Sequence, residues 1–136
     1  MEEVSVSREV HTDPERIRTA LDDLDAFMRA AGFDEVQVAG DTITVSRAIG
    51  LAELELTLAV VESDATLAYE QVEGIFDDMA TTYRLDDDDG TVTLTATTQF
   101  ELGGMIGSAL DATLIKRQRT KELEDQLAYL EREAIA

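Results

Sequence analysis

The sequence predicts an α+β fold in which one long helix lies across an antiparallel sheet. About seven segments alternate apolar and polar residues, the pattern of strands with one buried face. Helical spacing follows the first of these strands, and about thirty uninterrupted helix-forming residues follow the last. A helix that comes after a run of antiparallel strands must cover one face of their sheet, so residues 1–136 are predicted to form a single domain.

The first elements are a strand and a short helix pair. Valines alternate with polar residues over Val4–Val10. The segment Thr12–Glu15 then supplies an N-cap candidate, the only proline and an acid in the first turn, so a helix is predicted to begin at Pro14. Apolar residues recur at helical spacing as far as Gly32, with a break expected near Asp25. The helix pair is predicted to pack through one apolar stripe, which consists of Ile17, Leu21, Leu24, Phe27 and Met28.

The middle of the chain predicts a meander of strands. Gly40-Asp41 and Asp89-Gly90 each separate two alternating segments and are predicted to form tight hairpin turns. Leucines alternate with polar residues over 53–60, the clearest half-buried strand. The segment 91–101 has a threonine face, which suits solvent. Its opposite face is apolar except at one threonine and consists of Val92, Leu94, Ala96, Thr98 and Phe100.

The composition excludes several classes of function. Thirty acidic residues against eleven basic ones give a net charge of −19, which repels nucleic acids and anionic membranes. No apolar run approaches the roughly 20 residues of a membrane span, so no membrane insertion is expected. With no cysteine, disulfides and thiolate metal sites are excluded, and a reducing cytoplasm is the expected environment.

The acids are spread over polar faces, as in proteins of salt-accumulating organisms whose self-repulsion is screened by molar salt. Only the run Asp86–Gly90 invites a calcium interpretation. With Gly90 as the sixth residue of an EF-hand loop, Leu85 and Ala96 fall where two carboxylates are required. We therefore predict a halophilic surface and no metal site.

Both ends of the chain resemble the START / polyketide-cyclase-like (SRPBCC) superfamily. Val4–Val10 (VSVSREV) followed by Thr12–Ile17 (TDPERI) is similar to the family's first strand and its turn into a helix. Phe100–Gly107 (FELGGMIG) and the helix ending at Leu123–Glu133 (LEDQLAYLERE) are similar to its last strand and C-terminal helix. The resemblance implies a helix-grip fold, a curved antiparallel sheet of about seven strands wrapped around the C-terminal helix with an internal cavity. Members bind lipids, polyketides, hormones or quinones, and a minority catalyse cyclisation or hydrolysis.

Small residues in the first half of the final helix predict open space between that helix and the sheet. Glycine, alanine and threonine over Gly104–Thr113 leave a gap that larger side chains would fill, and the facing strand positions offer apolar walls without an aromatic plug. A small hydrophobic ligand is expected there. The candidate lining residues are Phe27, Leu56, Leu58, Tyr69, Tyr83, Leu94, Thr98, Phe100, Met105, Ala109, Ala112, Thr113 and Lys116.

Polar groups near this space are candidates for orienting a ligand. Helical phase places Lys116 over the cavity, where its ammonium would meet a carboxylate or phenolate, and makes it more consequential than Arg119 or Lys121. Alternatively, Lys116 extends from the edge of the stripe and pairs with strand acids. Four polar strand residues either orient a ligand oxygen or hydrogen-bond with one another: Tyr69, Gln71, Tyr83 and Thr98.

These features favour a binder of a small hydrophobic molecule, such as a lipid, a polyketide or a quinone-like compound, with no cofactor. An enzyme of the cyclase or dehydratase type is one alternative, with Tyr69 or Tyr83 as acid and Lys116 as electrostatic stabiliser. A non-catalytic interaction domain that dimerises through its sheet edge or helix is the other. Catalytic residues cannot be assigned, because the only histidine, His11, lies on the polar side of the first strand.

Overall fold

The computed structural model describes residues 1–49, 51–102 and 112–136, and the order of its elements confirms the predicted α+β class. A strand and two short helices precede six strands, and a long helix ends the chain. The bounds are β1 (Glu2–Val10), α1 (Pro14–Asp22), α2 (Leu24–Ala30), β2 (Glu35–Ala39), β3 (Thr42–Ile49), β4 (Ala52–Val60), β5 (Leu67–Glu73), β6 (Phe76–Asp88), β7 (Thr91–Leu102) and α3 (Ala112–Ile135).

The seven strands form one antiparallel sheet in the order β1-β7-β6-β5-β4-β3-β2. The first strand pairs with the last, with Val6 opposite Ala96, so β1 and β2 are the two edges. Both predicted hairpin turns are present. Gly40 has φ 61°, and Asp89 and Gly90 have φ 50° and 87°, the left-handed conformation that tight hairpin turns require.

Aspartates set the limits of the helix pair. Asp13 caps α1 by accepting a hydrogen bond from the Glu15 amide at 3.1 Å, and Pro14 occupies the first turn. The break falls at Asp23, which ends α1 and caps α2 by accepting from the Ala26 amide at 3.1 Å. It was expected near Asp25; the capping carboxylate at position 23 ends the helix two residues earlier.

α3 packs against β1, β7, α1 and α2, so the sheet and the helices enclose one core. This arrangement confirms the predicted helix grip. No helix in the described ranges is both long and apolar enough to cross a membrane. The buried positions of α3 are Ile115, Arg119, Glu122, Leu123, Gln126, Leu127, Leu130 and Ala134.

Aromatic side chains form part of the packed interior. Phe27 on α2 meets Tyr83 edge-on, with ring centroids 5.0 Å apart, and Phe76 lies 5.2 Å from Phe100. Aromatic residues are few in the sequence, but most of them are buried in the core. The buried ones are Phe27, Tyr69, Phe76, Tyr83 and Phe100.

Candidate functional site

A small pocket, here called the α3 pocket, lies between α3 and strands β3 and β4. Its volume is about 30 Å³, room for about one water molecule and far below the roughly 300 Å³ of typical ligand sites. Apolar side chains form most of its wall: Phe33, Val45, Leu54, Leu56, Phe76 and Ile115. Polar side chains form the rest: Ser46, Arg47, Gln118, Arg119 and Glu122.

Glu122 lies between two guanidinium groups in this wall. Its Oε1 accepts a hydrogen bond from Arg119 Nη1 at 2.5 Å, and its Oε2 lies 2.7 Å from Arg47 Nε. Arg119 and Glu122 are buried, and the Arg47 side chain is only 17% exposed. Two positive charges and one negative charge therefore share the interior of a chain whose net charge is −19.

The Arg119 guanidinium is only partly satisfied. Its Nη2 donates to Thr81 Oγ1 at 3.1 Å, and that hydroxyl lies 2.9 Å from Thr98 Oγ1. Among the described residues, Arg119 Nε has no hydrogen-bond partner although it is buried. Burial acts to lower the Arg119 pKa, but the carboxylate of Glu122 offsets this and raises it overall, so the group stays charged. Its Nε–H is thus a buried, charged donor for which the described part of the chain supplies no acceptor.

Arg47 connects three elements around the α3 pocket. From β3 it donates through Nη2 to the carbonyl of Ala31, at the end of α2, at 2.8 Å. Its guanidinium carbon also lies 5.2 Å from the centre of the Phe33 ring, a cation–π distance. Together with the Glu122 contact, these interactions hold α2, β3 and α3 in a fixed relation at the pocket.

A second polar network lies deeper in the core. The hydroxyls of Tyr69 and Tyr83 are 2.9 Å apart, and Tyr83 donates to Gln126 Oε1 at 2.6 Å. Gln126 Nε2 donates in turn to the carbonyl of Phe27 at 3.5 Å. Burial raises the pKa of Tyr83 well above its ordinary value, so its phenol stays protonated at neutral pH and acts as a donor.

Most of the predicted lining residues do not line the α3 pocket. Leu56 lines the α3 pocket, Ala112 is half-buried and Thr113 is exposed. Met105 and Ala109 lie outside the described residues, as does most of the space predicted beneath Gly104–Thr113. Seven others are packed in the interior: Phe27, Leu58, Tyr69, Tyr83, Leu94, Thr98 and Phe100.

The remaining polar candidates form contacts within the protein. Gln71 bridges the β5–β6 connection, donating to the Phe76 carbonyl at 2.8 Å and accepting from the Phe76 amide at 3.2 Å. His11 is exposed, with Nδ1 3.2 Å from Thr91 Oγ1. Within the described ranges, no three or more histidine, aspartate or glutamate side chains are grouped so as to hold a metal ion.

Of the two alternatives for Lys116, the structure agrees with pairing to a strand acid and not with a position over the interior. Its side chain is 45% exposed, and its Nζ lies 3.6 Å from Glu2 Oε1. The buried cation of α3 is Arg119, because its pairing with Glu122 offsets part of the cost of burying its charge. The sequence contains a signal for this face in a row at helical spacing that begins and ends apolar: Ile115, Arg119, Glu122, Gln126 and Leu130.

No protein-family model and no curated protein matches the chain in sequence. Solved structures match it in fold. A protein from Thermus thermophilus superposes with a TM-score of 0.76 at 19% identity, covering 98% of this chain and 97% of that one. A START superfamily protein from Mycobacterium smegmatis gives 0.74 at 14% identity, covering 98% and 97%. The Zhui aromatase/cyclase from a Streptomyces species gives 0.74 at 15% identity, covering 96% and 94%. These similarities, together with the sheet order and the C-terminal helix, show that the chain has the helix-grip fold of START/SRPBCC proteins.

Proposed function

We propose that the protein binds a small hydrophobic molecule in the α3 pocket. The observation that supports this most directly is a mostly apolar wall that includes the buried Arg119 guanidinium, whose Nε–H has no acceptor within the ranges that the structure describes. Contact with the wall would stabilise an apolar ligand by about 25 cal/mol for each Å² removed from water, and the free donor would orient an oxygen of that ligand. Fold neighbours named as a START superfamily protein and an aromatase/cyclase are consistent with this function.

Binding requires the α3 pocket to widen beyond its volume of about 30 Å³. Phe33 and Leu54 in its wall are only half-buried, so they can move without opening the core.

A titration with the neutral dye Nile red tests the proposal. Leu54→Trp places a bulky ring in the pocket wall and should abolish saturable dye fluorescence. Leu67→Trp is the matched control, because Leu67 is also a half-buried strand leucine but lies outside the α3 pocket. Equal dye binding by the two variants, or no saturable binding by the wild type, would contradict the proposed function.

A protein-interaction domain is the second candidate, favoured by the aromatic filling of the core. The sheet ends at β1 and β2, so these edge strands are where a second copy would pair. Sedimentation velocity over a range of protein concentrations would detect a homodimer. A dimer that forms without any dye binding would favour this candidate over the ligand-binding one.

A further inference from the structure

We infer that the ligand of the α3 pocket is a monoanion, an apolar molecule with one carboxylate or phenolate group received by the Arg119 Nε–H. This inference rests on the proposed function and specifies its ligand class. It is based on a buried, positively charged donor that lies in a mostly apolar wall and has no acceptor among the residues described by the structure.

The charges of the pocket wall favour a negative ligand. Arg47, Arg119 and Glu122 are its only charged members among the described lining residues. Each oxygen of Glu122 already pairs with one guanidinium, at 2.5 Å and 2.7 Å, and one positive charge is left over. An uncompensated buried charge is costly. A single negative charge would neutralise it, whereas a neutral ligand would not.

The hydrogen bonds of Arg119 specify where that charge would lie. Nη1 is directed at Glu122 and Nη2 at Thr81, so among the described residues Nε–H is left for an incoming acceptor. A hydrogen bond to a charged group is stronger than a hydrogen bond between neutral groups. Selection for an anion must be local, because the net charge of −19 repels anions at long range.

The test compares octanoate with 1-octanol, which have the same number of carbon atoms and differ in charge. Each displaces Nile red from the wild type and from three variants in the same buffer. We expect octanoate to bind the wild type at least about tenfold more tightly than octanol, the ratio that corresponds to about 1.4 kcal/mol. Arg119→Met should remove this preference. Arg117→Met is the control, because Arg117 is an exposed arginine of the same helix, and it should preserve the preference.

Glu122→Gln gives a test in the opposite direction. Removing the internal carboxylate frees both guanidinium groups, so octanoate should bind more tightly than it binds the wild type. A folding defect would weaken binding rather than strengthen it. Equal affinities of octanoate and octanol for the wild type would overturn the anion inference and leave the proposed function intact. If Nile red, octanoate and octanol all fail to bind, both proposals are overturned.

Discussion

Arg47 on β3 and Glu122 on α3 form an ion pair inside the protein, with Nε and Oε2 2.7 Å apart. Both residues line the α3 pocket, so the contact that joins the final helix to the sheet also contributes to the charge of the candidate site. Glu122 pairs with Arg119 as well, through its other oxygen. The Glu122 carboxylate therefore affects both the stability of the fold and the charge of the ligand that the α3 pocket would prefer.

Glu122→Ala should lower the free energy of unfolding by about 3–5 kcal/mol, because it leaves a buried arginine without its counter-charge. Urea denaturation measures the effect. Glu124→Ala is the control; Glu124 is exposed on the same helix, and its removal should change stability by no more than about 0.5 kcal/mol. Similar losses in the two variants would show that the ion pair does not stabilise the fold.

Tyr83→Phe should destabilise the protein by about 1–3 kcal/mol, because it removes the donor to Gln126 Oε1 in the core. Tyr69→Phe should cost less, since Tyr83 keeps its hydrogen bond to Gln126. Thermal unfolding of both variants alongside the wild type gives the comparison. The assignment of Tyr83 as the central donor fails if Tyr69→Phe is the more damaging change.

Stability should fall in alkaline solution because of Tyr83. Burial raises its pKa in the folded protein, whereas the unfolded chain ionises tyrosine at about pH 10. The folded state therefore disfavours the phenolate, and stability that is fully present below about pH 10 is lost as the pH rises toward the folded pKa. The gap in unfolding free energy between wild type and Tyr83→Phe should narrow above that pH. If the unfolding free energies of the two proteins changed in parallel with pH, the raised pKa would not belong to Tyr83.

Added salt should raise the melting temperature steeply. The net charge of −19 opposes the compact state, and screening shortens the Debye length from about 30 Å at 0.01 M to about 3 Å at 1 M. Thermal melts in dilute buffer, in KCl and in NaCl measure the effect, and the two salts should act alike. Equal midpoints with and without salt would remove the halophilic interpretation.

The sequence predicted the fold well because local patterns determine it. Alternation located the buried face of β7, and the glycine-containing pairs at 40–41 and 89–90 located two turns. The break between α1 and α2 is predicted near Asp25 and falls at Asp23, because more than one aspartate in this segment can cap a helix.

The candidate site was predicted poorly because its residues are charged. A buried face that is predicted from apolar residues leaves out Arg119 and Glu122, which are buried as an ion pair. The third member, Arg47, lies far away in the chain and reaches the site through strand pairing that no local pattern reveals. Lys116 was selected by phase alone, and its pairing with Glu2 on β1 is equally non-local.

Amide NMR spectra recorded during titration with octanoate, and separately with 1-octanol, test the central claim that the α3 pocket binds a small hydrophobic molecule. We predict saturable shifts in the amides of Val45, Leu54, Phe76 and Ile115, and none on the threonine face at Thr93 and Thr95. The claim would be contradicted if neither compound caused saturable shifts, or if the shifts were confined to the outer face of the sheet.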